Sequence, residues 1–190
     1  MSQSSFNREL VRLFGIAMED CFYSSAETEI HTADANSSIH GEFKEFVLLT
    51  ISSPLFRVLT VIHLNNDDAT KAFVANKLNT TADTLTDERF YDFVGEVGNT
   101  FCGAIKRSLN NFIPSLGMST PNRLESGSMK YMLSQKPSFE SFKHIEINGQ
   151  TLFECGIYVC NDTELDFDIT STTTSTTEVE EADCGELEFF

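Results

Sequence analysis

The stretch from Thr86 to Phe112 constrains the fold more than any other part of the sequence. Its apolar residues recur at steps of three and four, which predicts a long amphipathic helix with one broad buried face. Thr86 occupies an N-cap position, and Asp87 and Glu88 follow in the first turn, where carboxylates suit the positive end of the helix dipole. The apolar positions are Phe90, Phe93, Val94, Val97, Phe101, Ala104, Ile105, Leu109 and Phe112.

A polar stripe lies on the opposite side of this predicted helix. At about 100° per residue, Asp92, Glu96, Asn99 and Gly103 fall on one line that faces away from the buried side. Two carboxylates, an amide and a bare glycine are therefore expected on one accessible strip. Since any exposed helix offers such pairs, the spacing alone favours side chains that are merely solvated.

Three glycines, Gly95, Gly98 and Gly103, fall within this helix. Each costs a helix about 1 kcal/mol relative to alanine, so their presence needs a reason. One interpretation is that the missing side chains let the backbone of a partner approach Glu96 and Asn99. The other is that the glycines allow the helix to pack tightly inside the protein. The sequence leaves both open.

The stretch FVGEVGNTFCGAIKRSL resembles the signature helix of the CheC/CheX family of response-regulator phosphatases. The core of that signature is a Glu-x-x-Asn pair followed four residues later by glycine, here Glu96, Asn99 and Gly103. The fuller pattern places Ser or Asp four residues before the glutamate, where Asp92 stands. It also places a proline a little over twenty residues after the asparagine. Pro121 is close to that position, one residue short of the usual spacing.

The resemblance covers about residues 5–160 and implies an α+β fold, with a mostly antiparallel sheet and helices packed on one face. It implies a phosphatase that hydrolyses the phospho-aspartate of a CheY-like receiver domain in chemotaxis or related two-component signalling. Only one Glu-x-x-Asn helix is present, as in the single-site CheX type, which implies a homodimer. The receiver is expected to supply the Mg²⁺ ion, so no cofactor or metal site of the protein's own is expected.

The resemblance also assigns roles along the stripe. Glu96 and Asn99 are the expected catalytic residues: Asn99 orients the attacking water, and Glu96 pairs with a lysine of the receiver. Asp92 is expected to contact the receiver at the rim, and Gly103 to give clearance.

Other functions remain open. One is an adaptor that binds a receiver without hydrolysing its phosphate. Another is an interaction module like the flagellar switch protein FliM, although such modules typically lack the Glu-x-x-Asn pair. A metal-dependent or nucleophilic hydrolase is disfavoured, because no G-x-S-x-G or phosphate loop appears. His31 and His40 have no partner at ligand spacing and are expected at the surface, and His63 is expected to pack between strands.

Charge and cysteine usage exclude several classes of function. The 190 residues carry a net charge of −16, which opposes binding to nucleic acid or to an anionic membrane. No apolar run is long enough for a membrane span, and no signal-peptide pattern is present. The five cysteines form no C-x-x-C pair, so we expect reduced, mostly buried thiols in a cytoplasmic protein.

The remaining pattern divides the chain into a CheX-like domain over residues 1–162 and a tail over 163–190. Ten acidic residues and no basic ones lie from Asp162 onward, together with eight consecutive Ser or Thr residues over Thr170–Thr177. This composition predicts a disordered tail that either solubilises the protein or docks on a partner. Helices are predicted over Phe6–Phe22 and Ala69–Leu78, strands over Glu42–Ser52, Leu55–Leu64 and Met129–Ser134, and a hairpin over Lys143–Cys160 with its turn at Asn148-Gly149.

Overall fold

A computed structural model of the protein describes residues 5–22, 30–35, 39–113, 115–147, 149–161 and 165. The α-helices are α1 (Ser5–Phe22), α2 (Asp68–Lys77), α3 (Asp87–Asn110) and α4 (Met129–Leu133). The strands are β1 (Ile30–Ala35), β2 (Glu45–Ser52), β3 (Phe56–Leu64), β4 (Gly117–Met118), β5 (Asn122–Glu125), β6 (Phe139–Ile147) and β7 (Gln150–Asn161). Short 3₁₀ turns lie at His40–Glu42, Ala82–Thr84 and Ser126–Ser128.

The described strands form one seven-stranded sheet in the order β1-β6-β7-β3-β2, with the short β4 and β5 both on the outer edge of β2. All pairings among these strands are antiparallel. The β6–β7 hairpin turns at Gly149, whose φ of 76° lies in the left-handed region that glycine tolerates. The predicted α+β class with an antiparallel sheet is therefore confirmed.

Helices α1 and α3 pack together on one face of this sheet. Val47, Leu49 and Ile51 alternate along β2, so they share one face and join the main core under the helices. The rings of Phe14 in α1 and Phe101 in α3 lie 5.5 Å apart in a tilted arrangement. The expectation that helices cover one face of the sheet holds for these two long helices.

The opposite face carries a smaller core that α4 covers. Met129 and Met132 of α4 are buried there against Phe46 and Tyr158. The strand predicted over Met129–Ser134 is therefore wrong, because this segment is a helix of five residues. Two apolar residues three positions apart bury one side of a single turn, and such a short run has no periodicity that separates helix from strand.

The other predicted elements have counterparts in the structure. The two predicted helices outside α3 correspond to α1 and α2, and the first two predicted strands correspond to β2 and β3. The polar segment 26–41 contains β1. Leu165 is buried in the main core, just past the predicted domain end at residue 162. No helix within the described ranges is long and apolar enough to cross a membrane.

Some predictions fall outside the described residues. These are the acidic tail over 166–190, the side chains of His31 and His40, and Cys184. The other four cysteines are free thiols, and Cys102, Cys155 and Cys160 are buried. Burial raises the pKa of the Cys102 thiol to about 11, which keeps it protonated at neutral pH. The expectation of reduced, mostly buried cysteines is confirmed for these four.

Gly98 explains how closely α3 approaches the sheet. The residue is buried, and a Cβ atom built on it would lie 2.8 Å from Leu49 Cδ1 and 3.6 Å from Val47 Cγ1, both on β2. Such a distance to Leu49 is too short for real carbon atoms, so a side chain here would force either the buried Leu49 side chain or the helix to shift. The packing interpretation of the glycines is therefore correct for Gly98.

We expect opposite effects on stability from alanine at two of these glycines. Both variants gain about 1 kcal/mol of helix propensity. Gly98→Ala also overpacks the core against Leu49, at a cost of about 1–3 kcal/mol, so its free energy of unfolding should fall. Gly103→Ala meets only Arg107 Nη1, at an ordinary 3.6 Å, so its free energy of unfolding should rise. Urea denaturation measures both, and a Gly98→Ala protein more stable than wild type would contradict the packing argument.

Candidate functional site

Helix α3 is fixed at its start by the predicted cap. The Thr86 hydroxyl accepts a hydrogen bond from the backbone N–H of Arg89 at 3.3 Å, and Asp87 and Glu88 occupy the first turn. The apolar side of the helix is buried, at Phe90, Val94, Val97, Phe101, Ile105 and Leu109. Burial of this side fixes the rotation of the helix and so decides which residues face outward.

The polar stripe faces outward, as the helical phase predicts. Asp92 and Glu96 are exposed, while Asn99 and Gly103 are partly buried. Asp92, Glu96 and Asn99 lie along one open groove with a volume of about 480 Å³. Gly103 follows one turn beyond Asn99, and a Cβ atom added to it would lie 3.6 Å from Arg107 Nη1. Three of the four predicted site residues are thus brought together in the groove.

The opposite wall of the groove contains Pro121. This proline lies against α3 at Gly95, where an added Cβ would be 3.9 Å from the Pro121 ring. The segment before it is held to β2, because Thr50 and Ser119 exchange two hydrogen bonds of 2.9 and 3.0 Å. The proline that completes the sequence pattern is therefore close in space to the Glu-x-x-Asn helix.

A polar network forms the end of the groove between α3, β2 and β5. Arg123 Nε donates to Glu45 Oε2 at 2.6 Å, and the Tyr91 hydroxyl donates to Glu45 Oε1 at 2.7 Å. The Arg123 guanidinium also stacks on the Tyr91 ring, with Cζ 3.3 Å from the ring centroid. Glu45 is a buried carboxylate, and two donors stabilise its charge. We call these three residues the Glu45 network.

The Glu45 network extends to the start of α3. Asn66 Nδ2 donates to the Tyr91 hydroxyl at 3.1 Å and to Asp87 Oδ1 at 3.2 Å. Lys71 pairs with the same Asp87 carboxylate at 3.1 Å. The hydrogen bonds from Asn66 and then Lys71 lower the pKa of Asp87. These contacts tie the first turn of α3 to the loop before α2 and to α2 itself.

The polar residues of the groove fall into two groups. Tyr91 and Arg123 are engaged in the Glu45 network. By contrast, the side chains of Asp92, Glu96 and Asn99 make no hydrogen bond or ion pair with any residue in the described part of the chain. One end of the groove is thus fixed by internal contacts, while the stripe along α3 is available to an external partner.

Solved structures show which fold this arrangement belongs to. CheX in the CheX-CheY-BeF3-Mg²⁺ complex of Borrelia burgdorferi superposes with a TM-score of 0.60 and 19% identity, covering 83% of this chain and 99% of that chain. CheX from Vibrio vulnificus gives a TM-score of 0.55 at 17% identity, covering 80% and 95%. The chain has the fold of the CheC/CheX family.

Thermotoga maritima FliY is also similar to this CheX-like chain, with a TM-score of 0.50 and 16% identity, covering 85% of this chain and 93% of that one. No protein-family model matches the chain, and no curated protein matches it in sequence. The superpositions on these three structures establish a shared fold, and at identities below 20% they establish no shared activity.

The CheX-like fold also holds a second buried polar cluster, away from the groove. Glu154 of β7 is fully buried on the face of the sheet that α4 covers. His144 Nε2 lies 3.0 Å from one of its carboxylate oxygens, and His63 Nε2 lies 4.0 Å from the other. His63 also packs against Phe46 with ring centroids 5.3 Å apart, which agrees with its predicted packing between strands.

Within the described part of this CheX-like chain, no group of three or more His, Cys, Asp and Glu side chains is arranged to hold a metal ion. The groove itself offers two separate carboxylates and an amide along α3. Such a stripe suits hydrogen bonding and ion pairing with another protein surface.

Tyr91→Phe should change the alkaline stability of the CheX-like domain. Burial, followed by the hydrogen bond to Glu45, raises the pKa of Tyr91 to about 12. In the unfolded chain the Tyr91 phenol has a pKa of about 10. The contribution of Tyr91 to the free energy of unfolding is therefore complete below that pH and is lost as the pH rises through about 12. The phenylalanine variant should therefore lose less stability between those two pH values.

Denaturant unfolding at several pH values measures this difference. Tyr131→Phe, which removes an exposed phenol, is the matched control. If the free energy of unfolding of Tyr91→Phe depends on pH as that of wild type does, burial and the contact with Glu45 do not raise the pKa of Tyr91.

Proposed function

We propose that this protein is a phosphatase that hydrolyses the phospho-aspartate of a CheY-like receiver domain. The observation that supports it best is the placement of Glu96 and Asn99. They lie one turn apart on α3, they line an open groove, and neither side chain has a partner within the described part of the chain. The Borrelia CheX of the same fold is bound in its structure to CheY, BeF3 and Mg²⁺.

The proposed reaction requires little from the phosphatase. Water attacks the phosphorus in line with the bond to the aspartyl oxygen, that bond breaks, and inorganic phosphate and a free aspartate carboxylate result. An acyl phosphate is already reactive, and the receiver's own Mg²⁺ offsets the charge on the transferring oxygens. What the phosphatase must add is the position of one water molecule.

Asn99 is suited to position that water. Its amide carries both a donor and an acceptor, so it can orient water without removing a proton as a base. The side chain is partly buried and lines the groove, which limits its freedom before the partner arrives. No covalent intermediate on this protein is required, and none of its described thiols lines the groove.

Glu96 is suited to hold the receiver in place. It is an exposed carboxylate one turn before Asn99, so an ion pair with a lysine beside the phosphoryl group would seat α3 over the reacting atoms. Asp92 adds a rim contact in the same groove, and Gly103 leaves clearance beyond Asn99. We further propose that the protein acts as a homodimer, as the CheX resemblance implies.

Asn99→Ala is expected to abolish phosphate release from the phosphorylated receiver while leaving receiver binding largely intact. The substitution removes the group that orients water but leaves Glu96 in place. Phosphate release from a panel of the host's phosphorylated receiver domains measures the activity, and titration of the same receivers measures binding. Asn110→Ala changes an exposed asparagine on the same helix and serves as the control. Activity of Asn99→Ala equal to wild type would refute the mechanism.

Glu96→Gln is expected to weaken receiver binding by about tenfold, since charged hydrogen bonds contribute about 1.5–3 kcal/mol. Glu19→Gln, at an exposed glutamate of α1, is the matched control and should bind like wild type. Isothermal titration of the receiver compares the three proteins. Undiminished binding by Glu96→Gln would remove the proposed ion pair. If wild type binds a phosphorylated receiver tightly without releasing phosphate, the non-catalytic adaptor replaces the phosphatase.

A further inference from the structure

Arg123 is the only cation among the described residues that line the groove. Two exposed carboxylates, Asp92 and Glu96, line the same space. An anionic group of a partner that enters the groove is repelled by both of them, and a nearby positive charge offsets that repulsion. Arg123 stands where such an offset is needed.

The guanidinium of Arg123 is already held in place. Its Nε donates to Glu45 at 2.6 Å, and its plane stacks on the Tyr91 ring at 3.3 Å. Tyr91 is in turn fixed by its own hydrogen bond to Glu45 at 2.7 Å. A side chain that is ordered before binding loses less conformational entropy when it binds, so its contact with a ligand is stronger.

These internal contacts leave part of the Arg123 side chain unused. The contact with Glu45 occupies Nε, and the Nη amines make no hydrogen bond with any residue that the structure describes. The Arg123 side chain as a whole is 52% exposed and lines the groove. A purely structural link between β2 and β5 accounts for the Nε contact and leaves the Nη donors without a role.

We infer that Arg123 binds an oxyanion of the docked partner through its Nη amines. This inference rests on the proposed function, because the partner is the CheY-like receiver whose phosphoryl group faces Asn99. The oxyanion is either an oxygen of that phosphoryl group or a carboxylate oxygen on the neighbouring receiver surface. Arginine presents its donors in a planar fork that matches both groups.

The test compares the affinity of wild type, Arg123→Gln and Arg123→Lys for receiver domains with and without bound beryllofluoride and Mg²⁺. Beryllofluoride stands in for the phosphoryl group. Arg12→Gln is the matched control, because Arg12 is exposed, pairs with Glu9 and lies on α1 outside the groove. We expect Arg123→Gln to weaken binding about tenfold or more, Arg123→Lys to weaken it less, and Arg12→Gln to stay within about twofold.

The pattern of loss identifies the oxyanion. If the contact is to the phosphoryl group, Arg123→Gln weakens binding of the beryllofluoride-loaded receiver selectively and lowers kcat for phosphate release. If the contact is to a receiver carboxylate, both forms weaken equally and KM rises while kcat is kept. In either case the affinity of Arg123→Gln should depend less on salt than that of wild type, a change that a merely structural role would not produce.

The outcomes separate this inference from the proposed function. Binding and salt dependence of Arg123→Gln equal to wild type would overturn the inference while leaving the phosphatase intact. Binding without phosphate release, weakened in Arg123→Gln, would overturn the phosphatase and keep the anion contact. Absence of binding by wild type to any receiver would overturn both. Thermal unfolding of each variant establishes that it is folded, and Arg123→Lys retains the charge if Arg123→Gln is unstable.

Discussion

The contact between Gly98 of α3 and Leu49 of β2 sets the geometry on which the rest of the structure depends. Without a side chain at Gly98, the helix lies directly on the apolar side chains of the central strands. That contact fixes the distance and the rotation of α3, since the large residues on either side, from Phe90 to Leu109, must then enter the same core. The outward direction of the polar stripe is a consequence of this inward packing.

The same close approach builds the groove. Helix α3 packs closely on β2, and β4 and β5 pair with the outer edge of the same strand. The segment that contains β4 and β5 therefore lies beside the helix and forms the other side of the groove. Pro121 on that wall lies beside Gly95 of the helix, and Arg123 follows two residues later in β5. A larger residue at Gly95 would meet the proline ring at van der Waals distance and begin to fill the space beside Glu96. Of these two glycines, only Gly98 lies where an added Cβ would clash.

The helix, its cap and its outward stripe follow from local sequence, which is why they could be predicted before the structure. Nine apolar positions at helical spacing and a Thr cap are local signals, and so is the Asn-Gly turn of the β6–β7 hairpin. The short helix α4 has too few residues for such a signal. The Glu45 network has no local signal either, because Glu45 lies 46 residues from Tyr91 and 78 residues from Arg123 in the chain. The pairing of β5 with β2 brings Arg123 to Glu45, and the packing of α3 on β2 brings Tyr91 there.

The groove combines two properties that one set of residues cannot provide. A side chain that must bind a partner has to leave its own hydrogen-bonding groups unused, and it then remains mobile and pays an ordering entropy on binding. The stripe residues Glu96 and Asn99 are in this position, although the packed backbone of α3 reduces their freedom. Arg123 avoids the conflict, because Glu45 and Tyr91 hold it through Nε and the guanidinium face while its Nη donors make no hydrogen bond with the described residues. Under the proposed function, Arg123, Asn99 and Glu96 in the same groove would give a receiver one orientation in which all three contacts form together.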